Sequence, residues 1–274
     1  MKGNIMIFTP LWLLLCWMSP EDSMAAPKKI QLSMELNSVD DMYSVCRDAM
    51  MKEIKEKYLE KEKDKKWTKP AINECTKNFL DKITTGPLTE DQVRAICLYT
   101  DKIVYKPFNE AVRTEGKKYG DKDNDHLFEY HLLHYQLTSA IQILNEHQNP
   151  NPEGSDKKCL TVYRRTKDIY NGDQNQVIRF GMFASSSLKK DLYSFGTITC
   201  FQIETCFGAA LTDYEMNEGQ QEVLIPPYEQ FKITEIHDGV GKYGKLKDCN
   251  KVFILKNAGH KSYLNCKLVP TQTE

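Results

Sequence analysis

The hydrophobic period of this chain changes once along its 274 residues, at a loop over 149–154 that holds Pro150, Pro152 and Gly154. Before the loop the apolar positions step by three and four. Met42, Val45, Ala49, Met50, Ile54 and Tyr58 make one such stripe, and Leu127, Tyr130, Leu133, Leu137, Ile141 and Leu144 make another. That spacing is the mark of amphipathic helices, and further helical segments are read at about 71–82, 91–98, 107–119 and 126–147. After the loop come short apolar runs at 160–163, 177–182, 196–204, 222–225, 231–236 and 252–256, parted by Gly, Asn, Asp and Pro. They read as strands of an antiparallel region. Helices first and strands after predict an α+β fold. The helical part is set at about 39–147 and the β part at about 159–266, in one domain over 26–274.

Residues 1–25 are read separately. Lys2, an apolar run over 5–17, and the small residues Ser23 and Ala25 make a secretory signal peptide. The run falls short of the roughly 20 apolar residues a spanning helix needs. A secreted, extracellular protein without stable membrane insertion is expected. The polar C-terminus, lacking an apolar tail, predicts no lipid anchor.

Eight of the nine cysteines lie beyond Cys16. An even number in an exported chain predicts disulfides, which could pair in about 105 ways. No CxxC spacing occurs and the histidines do not cluster with cysteines, so no metal site is expected. His131 and His134, three apart on one helix, are read as structural. The Lys/Glu run over 52–69 is read as a solvated helix face. Without residues 1–25 the remainder carries 36 charges of each sign. That balance argues against a nucleic-acid partner, which would call for a basic excess.

Three segments of the β half carry possible chemistry. Arg164 and Arg165 leave a strand on opposite faces, and a guanidinium fork suits phosphate. Ser185, Ser186 and Ser187 end an aromatic strand. They could equally cap a helix over 188–192. Gln220 and Glu222 would share a face if 220–225 is extended.

In this order the three segments resemble the Arg, Ser and Glu motif of the vertebrate secreted and cell-surface mono-ADP-ribosyltransferases. Asp40, Asp41, Met42, Tyr43, Cys46, Tyr99, Thr100, and the stretches 128–137, 201–208 and 222–227 extend the similarity over most of the mature chain. The resemblance implies the ADP-ribosyltransferase fold, with an NAD cleft in the β half. It implies an enzyme that uses NAD, or NADP, as substrate with no permanently bound cofactor. Such an enzyme cleaves the nicotinamide–ribose bond and passes ADP-ribose to an extracellular protein acceptor, arginine in most of the family, or to water. The alternative is a non-catalytic secreted binding protein that keeps the fold.

By matching position, Arg164 would hold the phosphates and the Arg165 backbone the nicotinamide amide, although many vertebrate members have glycine at 165. Ser185 would orient Glu222, which would bind the ribose 2′-hydroxyl and stabilise the oxocarbenium-like state. Tyr193 or Phe195 would wall the nicotinamide. Arginine-modifying members carry Glu where this chain has Gln220, so NAD glycohydrolase activity is expected to dominate unless Glu218 serves the acceptor. The resemblance also pairs Cys46 with Cys266 and Cys159 with Cys206, leaving Cys75–Cys97 and Cys200–Cys249.

Overall fold

The computed structural model describes residues 26–62, 65, 79–100, 102–119, 121, 128–149, 158–214 and 219–269. The signal segment 1–25, most of the expected helix over 71–82, Cys75, Leu127, the loop 150–157 and Glu218 lie outside the described residues.

The helical part comprises α1 (Arg47–Glu53), a π turn (Ile54–Tyr58), α2 (Leu59–Glu62), α3 (Leu80–Thr85), α4 (Glu90–Thr100), α5 (Lys102–Thr114), α6 (Gly116–Tyr119) and α7 (His131–Gln148). Met50, Ile54 and Tyr58 turn inward, while Lys52–Glu56 and Glu53–Lys57 pair on the outside. Glu62, read as part of that solvated face, is instead buried. Its carboxylate accepts the N–H groups of His131 (2.9 Å) and Leu132 (3.0 Å) at the start of α7. Free N–H groups and the helix dipole make this end a carboxylate site.

Helix begins at Arg47, not at 39. Asp40 and Asp41 hold the preceding segment in a loop. Their carboxylates take the backbone N–H groups of Tyr263, Leu264 and Cys266, and Tyr43 sits at φ 55°. Val45, counted in the apolar stripe, is consequently 84% exposed.

The β part holds β1 (Lys29–Gln31), β2 (Leu160–Thr166), β3 (Ile169–Asn171), β4 (Val177–Ile178), β5 (Ala184–Ser187), β6 (Thr199–Thr205), β7 (Ala209–Ala210), β8 (Glu222–Ile225), β9 (Glu229–Asp238) and β10 (Lys251–His260). β1 and β3 form a parallel pair, and the main sheet runs β4-β9-β10-β6-β2-β5-β8-β7. The sheet is mixed rather than purely antiparallel, because β10 lies parallel to β6. Alternation within one strand carries no sign of its partner's direction.

Of three apolar clusters, two are large and a smaller one surrounds Cys200 and Cys249. Val162, Phe201, Ile203, Val223, Phe231 and Phe253 fill one large cluster. The other large cluster joins Phe183, Ala209 and Leu224 to the helices. Disulfides link Cys46 to Cys266, Cys159 to Cys206 and Cys200 to Cys249. Cys97 is also disulfide-bonded, and its expected partner Cys75 is outside the described residues.

Candidate active site

Strands β2, β5 and β8 are neighbours in the sheet, so residues far apart in sequence meet there. β5 pairs along its whole length with β8, setting Ser187 opposite Glu222 and Ser185 opposite Leu224. β2 meets β5 through the single pair Tyr163–Ser187. The strands part beyond it, and a cleft of about 530 Å³ opens there. Arg164, Ser185, Gln220, Glu222, Phe195, Tyr99 and Tyr105 are among its lining residues.

Arg164 spans the gap between the parted strands. Its Nη1 donates to the Ser185 carbonyl at 2.5 Å, while its buried Nε has no acceptor among the described residues. Leaving a buried donor unmade costs about 1–3 kcal/mol or more. An anionic group in the cleft would relieve that cost.

The three serines divide their tasks. The Ser185 hydroxyl lies 3.1 Å from the Tyr99 hydroxyl. Tyr99 donates to the Phe183 carbonyl at 2.8 Å and accepts from Asn109 Nδ2 at 3.2 Å. Burial pushes the Tyr99 pKa well above its ordinary value, aided by the nearby charges of Tyr105 and Glu222, so Tyr99 is a neutral phenol at physiological pH. Ser186 donates to the Val223 carbonyl. Ser187 donates to the Gln220 carbonyl at 2.5 Å and accepts from the Lys189 N–H at 2.8 Å. No helix forms over 188–192. Ser187 makes a local turn where a helix cap was considered, the competing use of hydroxyls near strand ends.

The extended reading of 220–225 holds only from Glu222. Gln221 has φ 49° and Gly219 φ 88°, so the two-residue alternation breaks between Gln220 and Glu222. Both side chains belong to residues lining the same cleft, because the turn, rather than the pleat, brings residue 220 back.

Arg165 leaves β2 on the face opposite to Arg164. Its Nη1 and Nη2 donate to Asp248 Oδ2 (2.6 Å) and Oδ1 (3.1 Å), and its Nε donates to the Lys190 carbonyl (2.7 Å). That fork holds the Asp248 carboxyl below its usual range. Tyr193 covers the guanidinium at 4.7 Å, whereas Phe195 lines the cleft. The two aromatics left open by sequence thus have different positions.

Sequence reading gave Tyr99 no role and did not consider Tyr105 or Asn109. A lone tyrosine in a helical stripe looks like core, and Tyr99 is fully buried. Only the packing of α4 on β5 brings its hydroxyl to Ser185. His131 and His134 are structural, as read. His134 Nδ1 meets the Tyr43 hydroxyl at 2.7 Å and Nε2 the Val39 carbonyl at 2.9 Å.

Residues 32–248 match the family described as NAD:arginine ADP-ribosyltransferase. The chain belongs to this family. Ecto-ADP-ribosyltransferase 4 of Mus musculus is 32% identical over 264 residues, 94% of this chain and 83% of that protein. The erythroblast NAD(P)(+)–arginine ADP-ribosyltransferase of Gallus gallus is 30% identical over 249 residues, 88% of this chain and 77% of its own length. A crystal structure of the eukaryotic mono-ADP-ribosyltransferase ART2.2 superposes with a TM-score of 0.66 at 28% identity, covering 86% of this chain and 98% of that one. A mutant of the same enzyme, solved in complex with NAD, gives 0.65. The ADP-ribosyltransferase fold is therefore the frame in which the cleft is set.

Proposed function

We propose that this protein cleaves NAD at the nicotinamide–ribose bond and passes ADP-ribose to a protein side chain or to water. The convergence of Arg164, Ser185 and Glu222 on one cleft carries the reading. Arg164 takes the phosphates, and its open Nε supplies a donor for them. Ser185, braced by Tyr99, fixes the ground beside Glu222. Glu222 accepts from the ribose 2′-hydroxyl and sets a negative charge against the positive charge that develops as neutral nicotinamide departs. The backbone at Arg165 meets the nicotinamide amide, and Phe195 is the aromatic wall.

Gln220 decides the acceptor. An arginine nucleophile must lose a proton from a group with pKa above 12, and an amide provides neither the counter-charge nor the base. Water therefore competes well, and NAD hydrolysis exceeds transfer to arginine. Glu218, the candidate acceptor carboxylate, lies outside the described residues.

The chain acts outside the cell, as a single catalytic domain following a signal segment over 1–25. Its disulfides support that placement, as do relatives named ecto-enzymes. Among the described residues no helix is long and apolar enough to cross a membrane. Incubating the purified protein with NAD labelled in the nicotinamide ring tests the reading. Release of free nicotinamide is expected. No release with water, agmatine or protein acceptors present would overturn it in favour of a non-catalytic binding protein.

A further inference from the structure

We infer that the Arg165 side chain is a positioning residue that sets the aromatic wall of the cleft from behind, by clamping the loop that carries Leu192 and Phe195. The inference rests on the NAD reading of the cleft and gives a role to the Arg165 side chain, whose nitrogens are committed to the loop and to Asp248.

The loop between β5 and β6 is tied at its ends, by Leu188 N–H to the Gln221 carbonyl and Ile198 N–H to the Thr166 carbonyl, but its middle has little to hold it. Its one turn, Tyr193–Phe195, contains no buried residue, with Tyr193 61% and Phe195 50% exposed. The hydrogen bonds that shape the turn stay inside it, from Tyr193 to Asp191, Phe195 to Leu192 and Gly196 to Tyr193. A short turn without an apolar anchor orders poorly, since nothing offsets its conformational entropy.

Arg165 supplies the anchor on both sides of that turn. Ahead of it, Nε donates to the Lys190 carbonyl. Over it, the guanidinium carbon lies 4.7 Å from the centre of the Tyr193 ring, a cation–π contact. Behind it, Nη1 comes to 3.5 Å from the Gly196 carbonyl. The loop sits close on β2 at this point. A Cβ at Gly196 would come within 2.5 Å of the Thr166 carbonyl carbon, and φ there is 125°. Leu192 and Phe195, which line the cleft, are held between these contacts.

The guanidinium is itself fixed from the other direction. Arg165 faces Cys200 across β2 and β6, and the Cys200–Cys249 disulfide brings the neighbouring Asp248 under the fork. A bidentate pair fixes the plane of the guanidinium as well as its position. Orientation therefore passes from the disulfide to Asp248, to Arg165, to the loop and so to Phe195. A wall placed in this way acts on NAD binding more than on the chemical step.

Three readouts test the inference. Arg165→Ala should raise KM for NAD about tenfold while kcat stays within about twofold, the pattern of lost ground-state binding. Combining Arg165→Ala with Phe195→Ala should add less than about twofold to either single change, since residues acting through one another are not additive. Independently of NAD, trypsin should cut after Lys189 and Lys190 about tenfold faster in Arg165→Ala, because opening of the loop governs cleavage. Arg165→Lys and Asp248→Asn, which preserve packing volume, should give intermediate values in all three. Additive Arg165 and Phe195 effects, or a tryptic rate equal to wild type, would overturn the inference. If the wild type released no nicotinamide, faster cutting in Arg165→Ala would still support the clamp, and the catalytic reading alone would fall.

Discussion

Ser187 and Glu222 face each other directly across β5 and β8, and the Ser187 hydroxyl is committed to the Gln220 carbonyl. The residue opposite the candidate catalytic carboxylate thus anchors the candidate acceptor-selecting turn. One residue ties Gln220 through its hydroxyl and Glu222 through strand pairing, which makes their separate roles accessible to mutation.

Glu222→Gln should fold normally and still bind NAD, yet lose turnover by about 10²- to 10³-fold, or roughly 3–4 kcal/mol, the usual worth of one well-aimed transition-state charge. Nicotinamide release, read beside equilibrium NAD binding, checks this. A fully active variant would remove Glu222 from the chemistry.

Arg164→Lys should act on binding instead. An ammonium cannot both donate to the Ser185 carbonyl and present a planar fork to phosphate. Affinity for NAD should fall by about tenfold or more, the order expected when a charged hydrogen bond is lost. Calorimetric titration in a Glu222→Gln background measures it without turnover.

Gln220→Glu should raise ADP-ribose transfer to agmatine without a comparable rise in NAD hydrolysis, because nicotinamide departure depends on Glu222. If Glu218 already serves the acceptor, wild-type protein should modify agmatine efficiently and Glu218→Gln should abolish it. Assaying both variants with labelled NAD separates the two cases.

Acid should weaken the helical part through His134. Burial lowers its pKa from 6.5 to about 4, so the unfolded chain binds a proton between those values when the folded chain does not. Stability from this residue is complete above about pH 6.5 and is lost as pH falls towards 4, amounting to about 3 kcal/mol. Burial raises the pKa values of Glu62, Glu229 and Asp41, which acts in the opposite direction on acidification, so the His134 contribution is read as a difference. Between pH 7 and pH 4.5, urea unfolding should show a less favourable change in wild type than in His134→Gln.

The fold was legible wherever a periodic pattern was long. α4 and α7 and most of the main strands follow directly from apolar spacing. The strand β8 (Glu222–Ile225) was found with its observed limits, since Pro226 and Pro227 close it. What escaped was non-local. The parallel pairing of β6 with β10 leaves no trace in either strand. The loop over 40–44 looked helical because its aspartates answer to residues more than two hundred positions away. The site shows the same division. Arg164, Ser185 and Glu222 could be named from an ordered motif, and strand alternation sent Arg165 away from its neighbour. Tyr99 entered only with the resemblance and Asn109 not at all, because a helix stripe looks alike whether its buried hydroxyl meets core or cleft. The Gln220 turn was misjudged for a local reason: the positive φ of Gln221 falls at a non-glycine residue, where sequence gives little warning.

The Cys46–Cys266 bond joins the entry of the first helix to the end of the described chain. It closes the chain from Cys46 to Cys266, 220 positions apart, into a covalent ring. A protease that cuts one loop of this ring opens it without releasing a fragment, so the helical and β parts stay tethered at high effective concentration. A single nick is then a reversible loss of order rather than dissociation. For a nick between Cys97 and Cys159, which the other described disulfides do not span, reduction of that one bond removes the covalent tether.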